Sequence, residues 1–164
     1  MRAAVRGEAA GVEWLFREHW PAAYRAAWLI VRDEAAAEDI AQEGFLAALR
    51  ALDRFDRGRP FGPWLRTIVA RRAIDAARAR TLRREVADAA LAFVPAQADQ
   101  ALHALSDDLL AAVAALPDEQ RIPIALRHLL GFTPGEIADL LDLARGTVNS
   151  RLRRGLDALS EDLS

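Results

Sequence analysis

Apolar residues recur every three or four positions along this chain, and no segment alternates apolar and polar residues as a half-buried strand would. Residues 12–31, 34–52 and 64–74 each show the three-to-four spacing. Because an α-helix repeats every 3.6 residues, this periodicity predicts an all-α fold. A hydrophobic fraction of 52% in 164 residues is enough to bury a core, in one medium domain or two small ones.

Turn-forming and small residues separate the helical segments. Residues 54–64, RFDRGRPFGPW, contain two glycines and two prolines and predict a loop. The stretch from residue 81 to residue 106 is rich in small residues, weakly periodic and interrupted by a proline, which is typical of a linker. We therefore predict two small helical domains, residues 1–84 and 107–164, joined by a linker at residues 85–106.

Individual residues refine these helices. Asp33 is a predicted N-cap. Because proline lacks the amide hydrogen, Pro21 predicts the start of a second helix or a kink, and Pro123 a kink or a late helix start. The apolar positions at helical spacing are predicted to face the core; they include Leu15, Phe16, Trp20, Tyr24, Trp28, Val31, Ile40, Phe45, Leu46, Leu49, Leu52, Val148, Leu152, Leu156 and Leu159.

The charges are distributed unevenly. The formal net charge is −2, yet residues 57–84 carry nine arginines and one aspartate, a net +8. Residues 145–164 carry a net +1, whereas residues 1–56 and 85–144 are acidic, at −3 and −8. Two basic segments in an acidic chain indicate two places where a polyanion binds, and nucleic acid is the polyanion this layout favours. Every basic residue is arginine, which suits phosphate contacts, although a GC-rich genome is the simpler explanation.

The residues TPGE, 133–136, form a predicted capping box, with Thr133 as N-cap and Glu136 reaching back to its amide. A short turn and a second amphipathic helix from about residue 145 follow, so the C-terminal domain is predicted to contain a helix-turn-helix. The second helix presents side chains that can read bases or bind phosphates. These candidate DNA-binding residues are Arg145, Asn149, Ser150, Arg153 and Arg154; the alternative is a solvated basic face.

The stretch GFTPGEIADLLDLARGTVNSRLRRGLDAL resembles the promoter-reading C-terminal domain of bacterial sigma factors, through Gly-Thr-Val and Ser-Arg-Leu at residues 146–152. Three positions depart from the usual pattern. Asp142 stands where glycine is usual in the turn, Ala144 where a capping serine is common, and Asn149 where lysine or arginine is frequent. This module alone is shared with response regulators and other activators.

The N-terminal half resembles the same family. AEDIAQEGFLAALRALDRFD, residues 37–56, is similar to the segment that docks on the clamp helices of RNA polymerase, which implies polymerase binding by Glu38, Asp39, Gln42 and Glu43. Without the resemblance, such an acidic cluster would be read as a solvated face.

The basic segment, residues 57–84, resembles the strand-opening region that reads the minus-ten element. Trp64 is read as a core residue, Phe61 stays open between core and base platform, and Arg71 stands where the family often has asparagine. The DNA contacts implied here are Arg59, Arg66, Arg71, Arg72 and Arg78.

Both resemblances in one chain, in this order, are typical of the compact extracytoplasmic-function (ECF) group of sigma factors. They imply a protein that binds core RNA polymerase and promoter DNA and directs DNA opening for transcription initiation. They also imply an anti-sigma factor as partner, no enzymatic activity and no cofactor. The alternative is a polymerase-independent helix-turn-helix regulator, which would bind duplex DNA tightly on its own. A purely protein-binding adaptor would leave the +8 segment unexplained.

Several classes of chemistry are excluded or disfavoured. With no cysteine there is no disulfide, thiol nucleophile or thiolate metal site. His19, His103 and His128 show no metal-ligand spacing, and a helix-surface contact is the simpler reading of His103 with Asp107. No apolar run reaches bilayer length and none near the start suits a secretory signal, so we expect a cytoplasmic protein without membrane insertion.

Overall fold

The computed structural model describes residues 8–86 and 107–162. Every element in these ranges is helical, which confirms the predicted all-α fold. The chain divides into two compact units, Met1–Ala96 and Gln97–Ser164. From residue 87 onward, the predicted linker lies outside the described residues, as does His103 of the His103–Asp107 pair.

The first unit contains three helices that all pack against one another. They are α1 (Ala9–Val31), α2 (Glu34–Arg50) and α3 (Phe61–Val86). Asp33 caps α2 as predicted, because its Oδ1 accepts a hydrogen bond of 2.9 Å from the Ala36 amide. Pro21 lies inside α1 and does not start a second helix. The predicted loop ends at Pro60, since α3 already begins at Phe61.

Helices α2 and α3 approach closely at Gly44. A Cβ atom at this position would lie 2.7 Å from Cγ2 of Val69, well inside van der Waals contact. Any larger residue would therefore push α2 away from α3. The glycine allows the two helices to cross at a short distance, and this crossing positions the outward faces of both.

An aromatic cluster joins the three helices of this unit and the loop between α2 and α3. Phe61 is buried at 4% exposure, with its ring centroid 5.8 Å from Phe55, 5.7 Å from Trp64 and 5.0 Å from His19. Phe61 is thus a core residue and not an exposed platform for bases. Trp64 is half-buried against Phe55, at 4.6 Å between centroids.

The second unit contains four α-helices among the described residues: α4 (Asp107–Ala115), α5 (Asp118–Ile124), α6 (Pro134–Leu141) and α7 (Arg145–Asp162). A π-helical turn, Ala125–Leu129, continues α5. The predicted late start at Pro123 is wrong, since α5 begins at Asp118 and contains the buried proline. Proline removes one backbone hydrogen bond, and the helix widens into the π-turn just after it.

Two leucines predicted to be buried are exposed. On α2 the buried stripe runs through Ala41, Phe45 and Ala48, which leaves Leu46 outside at 45% exposure. On α7 the stripe runs through Gly155, so that Leu156 is 46% exposed. Phe16 is also 40% exposed, although its ring stacks on Trp20.

Gly155 is buried because α5 lies against it. A Cβ atom there would come within 2.8 Å of Cγ1 of Ile124. The stripe continues through Val148, Leu152 and Leu159, all buried as predicted. The close contact fixes which side of α7 faces inward, and therefore which side faces solvent.

Candidate polymerase and nucleic-acid interfaces

Four neighbouring side chains on the outer side of α2 form a continuous polar surface, which we call the acidic face. All four are exposed, opposite the buried stripe of the helix. Asp33 fixes the start of the helix and Gly44 fixes its distance from α3, so the surface is held by rigid backbone. The acidic face consists of Glu38, Asp39, Gln42 and Glu43, which are the residues that the sequence predicts for polymerase binding.

Leu46 adjoins the acidic face and was not predicted as part of it. It follows Gln42 and Glu43 by four and three residues, so it lies one turn further along the same side of the helix. An exposed apolar side chain bordered by polar ones is the usual composition of a protein-binding surface. Helical spacing alone did not reveal it, because the buried stripe passes through Gly44 as well as Phe45.

The five arginines predicted to contact opened DNA do not share one surface. Arg71 and Arg78 are two turns apart on one exposed side of α3. Arg72 is exposed on a neighbouring side, and Arg59 lies in the loop before the helix. Arg66 is half-buried, with a buried Nε that makes no hydrogen bond. The structure therefore groups Arg71 with Arg78 and separates the other three from them.

Three of these arginines form ion pairs. Arg59 lies 3.6 Å from Asp56, and Arg78 lies 3.8 Å from Asp75. Nη1 of Arg72 donates a hydrogen bond of 3.3 Å to Oε2 of Glu43, on the acidic face of α2. Each guanidinium remains at least partly exposed, so each is accessible to a phosphate that displaces or joins the carboxylate.

Another arginine of the same segment has a structural role. Arg80 donates a hydrogen bond of 2.9 Å from Nη1 to the Val31 carbonyl at the end of α1, and its Nη2 lies 3.6 Å from Asp33. A cation at a helix C-terminus is favourable because the free carbonyl groups carry partial negative charge. Arg80 thus ties α3 to the junction of α1 and α2.

The turn between α6 and α7 matches the predicted helix-turn-helix. Asp142 adopts a left-handed conformation, with φ of 53°, and aspartate tolerates this region better than most residues. The Leu143 amide then donates to the Ala138 carbonyl at 3.0 Å. Ala144, just before α7, supplies backbone acceptors for Thr147 and Val148 but no side-chain cap.

The outer side of α7 carries the predicted upstream DNA contacts. Arg145, Asn149 and Arg153 are exposed and spaced four residues apart, so they form one row. Arg154 is exposed beside this row and lies 4.0 Å from Glu119 of α5. Ser150 is half-buried. The five residues together make a polar and basic surface about two turns long.

The capping box of α6 is present as predicted. The Thr133 amide donates to Oε2 of Glu136 at 2.7 Å, and the Glu136 amide donates to the Thr133 hydroxyl at 3.3 Å. The Thr133 hydroxyl also donates to Oε2 of Glu136 at 2.7 Å. The hydrogen bonds from the Thr133 amide, foremost, and from its hydroxyl lower the pKa of the Glu136 carboxyl. The box fixes where the first helix of the helix-turn-helix begins.

Thr133→Ala is expected to destabilise the start of α6 by about 1 kcal/mol. Because the pKa of Glu136 is lowered in the folded state, the ionised Glu136 carboxylate stabilises that state fully above the ordinary glutamate pKa of about 4.3. This stabilisation is lost as the pH falls through the lowered value. Amide hydrogen exchange of α6 measures both effects. Thr147→Ala, a threonine replacement inside α7, is the control, and equal losses of α6 protection in both variants would contradict the role of the cap.

Histidines do not assemble a site in the described part of the chain. His19 is half-buried between the rings of Trp14 and Phe61. Burial lowers the pKa of its imidazole, partly opposed by the Glu18 carboxylate. His128 is exposed, and no group of three His, Cys, Asp or Glu residues able to hold a metal ion occurs among the residues that the structure describes.

Two known families match the chain, in the order of its two units. Sigma-70 region 2 matches residues 15–84, and Sigma-70, region 4 matches residues 106–159. The ECF RNA polymerase sigma factor SigL of Mycobacterium tuberculosis (strain ATCC 25618 / H37Rv) is 34% identical over 160 residues, covering 95% of this chain and 90% of SigL. This chain belongs to the ECF family of RNA polymerase sigma factors.

The chain spans only part of the length of some other relatives. The probable RNA polymerase sigma factor RfaY of Xanthomonas campestris pv. campestris is 37% identical over 142 residues, covering 82% of this chain. The chain spans 36% of the length of RfaY and 65% of the length of another ECF relative. The similarity therefore identifies the family without transferring every activity of the longer proteins.

A solved structure supports the same fold. The sigma factor RpoE from Bartonella quintana, crystallised with the anti-sigma factor NepR, matches with a TM-score of 0.62 and 28% identity. The match covers 92% of this chain and 95% of RpoE. Members of the family are transcription initiation factors and not enzymes. In the described ranges, no helix of this sigma factor is long and apolar enough to cross a membrane.

Proposed function

We propose that this sigma factor recruits core RNA polymerase through the acidic face and recognises promoters through the row on α7 and the arginines of α3 and its preceding loop. The row on α7 reads the upstream element in the major groove, and α3 with its preceding loop engages the opened strand near the minus-ten element. The observation that carries this proposal is the presence, in one chain, of an exposed acidic helix face and a helix-turn-helix with an exposed basic row.

The chemistry of each surface supports its assignment. Asparagine and arginine can form paired hydrogen bonds with adenine and guanine in the major groove, and Asn149 and Arg153 lie in the exposed row. The arginines of α3 can bind the phosphates of a separated strand. We propose that opening proceeds by exchange of base stacking for such contacts, so the chain performs no covalent chemistry and needs no cofactor.

Transcription by purified core polymerase on genomic DNA fragments, with and without this protein, tests the proposal. Transcripts that begin at discrete sites only in its presence are the expected result. Failure to co-elute with core polymerase, together with tight duplex binding by the free protein, would favour the polymerase-independent regulator instead. The same transcripts would reveal which two promoter elements are read.

An anti-sigma partner and a cytoplasmic location belong to the same proposal. RpoE was crystallised with an anti-sigma factor, and we infer that an anti-sigma factor also binds this chain. We place the protein in the cytoplasm, because polymerase and chromosomal DNA are there.

Arg153→Ala is expected to weaken promoter binding by the holoenzyme about fivefold, because it removes a charge-assisted contact from the α7 row. If the contact is to a phosphate, the slope of log affinity against log salt falls by about one unit. Promoter titrations at several salt concentrations measure both quantities. Arg17→Ala removes an exposed arginine of α1 that belongs neither to the α7 row nor to the α3 set, and an equal loss in that control would contradict the assignment.

A further inference from the structure

Glu43 belongs to two proposed surfaces at once. Its carboxylate lies on the acidic face, and its Oε2 accepts the hydrogen bond of 3.3 Å from Nη1 of Arg72, a residue of the DNA-binding set. Glu38 and Asp39 form no ion pair within the described ranges. The Glu43–Arg72 pair is therefore a direct physical link between the acidic face of α2 and one of the α3 arginines proposed to contact DNA.

The helix crossing dictates this pair. Gly44 of α2 faces Val69 of α3 at close range, Glu43 is adjacent to Gly44, and Arg72 lies one turn beyond Val69. A carboxylate and a guanidinium placed on either side of such a crossing fall within reach of each other. The side chains remain exposed, at 67% for Glu43 and 41% for Arg72, so both can exchange partners without unfolding.

We propose that Glu43 holds Arg72 in the free sigma factor and releases it for DNA when core polymerase occupies the acidic face. This inference rests on the proposed function. A surface of this charge selects cationic side chains on its partner. A cationic side chain of the polymerase and the guanidinium of Arg72 repel each other when both lie beside the Glu43 carboxylate. An ion pair of Glu43 with one of them therefore weakens its ion pair with the other. The coupling is reciprocal, as any linkage between two binding equilibria must be.

The strength of the pair suits such a release. Exposed ion pairs are weak and salt-sensitive, so the pair reduces the DNA affinity of Arg72 by at most about fivefold. That is enough to disfavour DNA binding by the free protein and small enough to be reversed by one new ion pair. Glu43 thus acts as a positioning residue for Arg72.

Binding of a short fluorescent single-stranded oligonucleotide to the free full-length protein at low salt tests whether the Glu43–Arg72 ion pair reduces DNA affinity. Glu43→Gln is expected to bind about two- to fivefold more tightly than the parent. Asp39→Asn removes the same charge one turn earlier without breaking an ion pair, so its gain in oligonucleotide affinity should be smaller. Equal gains in the two variants, or no gain in Glu43→Gln, would overturn the proposal. The difference should vanish at high salt.

Arg72→Gln tests the release. In the free parent protein it should change oligonucleotide affinity little, because Arg72 is already held. In the Glu43→Gln background, and in the parent holoenzyme, the same substitution should weaken DNA binding severalfold. An equal effect of Arg72→Gln in the free protein and in the holoenzyme would overturn the release step. The transcription assay reports separately on the proposed function. Discrete transcripts with the parent protein, together with equal oligonucleotide binding by free Glu43→Gln and free Asp39→Asn, would reject only this coupling.

Discussion

Core RNA polymerase is expected to bind a Leu46→Gln variant about thirtyfold more weakly than the parent chain, the size of effect typical of an interface hot spot. Leu46 is the apolar side chain beside Gln42 and Glu43, and it is 45% exposed. An apolar contact at the centre of an interface contributes most to the binding free energy when its polar neighbours exclude water from it. Glutamine keeps the length and the helix propensity of the side chain, so the variant removes apolar surface and little else.

A matched control exists in the other unit of the chain. Leu156 of α7 is 46% exposed, so Leu156→Gln removes the same apolar surface from a place outside the acidic face. Equilibrium titration of N-terminally labelled variants with core polymerase measures both affinities. Equal losses, or none in Leu46→Gln, would remove Leu46 from the interface. Asp39→Ala should weaken the same complex and leave the fold intact, because its side chain is exposed.

The features that the sequence predicted well are local. Asp33 caps a helix by contact with a residue three positions away, and the Thr133–Glu136 box spans the same distance. Such interactions join residues only three positions apart, so their spacing is visible in the sequence. The helix-turn-helix was predictable for the same reason, since caps, turn and apolar spacing all lie within one short stretch.

The features that were missed depend on how helices approach one another. Leu46 and Leu156 both satisfy helical spacing, but the buried stripe passes through glycines, which a search for apolar residues overlooks. A glycine is buried where another backbone or side chain comes too close for a Cβ atom, and only the tertiary contact shows this. The burial of Phe61 among rings from α1, α2 and the following loop is a contact of the same kind.

The candidate DNA-binding set illustrates the same limit. Sequence shows nine arginines between residues 57 and 84, but not which of them already have partners. Arg80 reaches residues 49 and 47 positions earlier in the chain, and Arg72 reaches one 29 positions earlier. Pairing across such separations follows from the fold. The charge pattern therefore located the basic segment, whereas the structure shows which of its arginines contact distant carboxylates or carbonyls.

Gly44→Ala is expected to lower the free energy of unfolding of the first unit by about 2 kcal/mol, the middle of the range for overpacking a core. Alanine would ordinarily stabilise a helix relative to glycine by about 1 kcal/mol. Here its Cβ would lie 2.7 Å from Cγ2 of Val69 and 3.5 Å from the Val69 Cα. A β-branched side chain has few rotamers with which to move away, so the clash outweighs the propensity.

The four tryptophans make this measurement specific, because Trp14, Trp20, Trp28 and Trp64 all lie in the first unit. Denaturant unfolding followed by tryptophan fluorescence therefore reports on that unit alone. Val69→Ala removes the atom that clashes, so in that background Gly44→Ala should become neutral or stabilising. If Gly44→Ala is equally destabilising in both backgrounds, the close approach to Val69 is not its cause. A stabilising effect in the parent would show that the helices or the Val69 side chain give way at little cost.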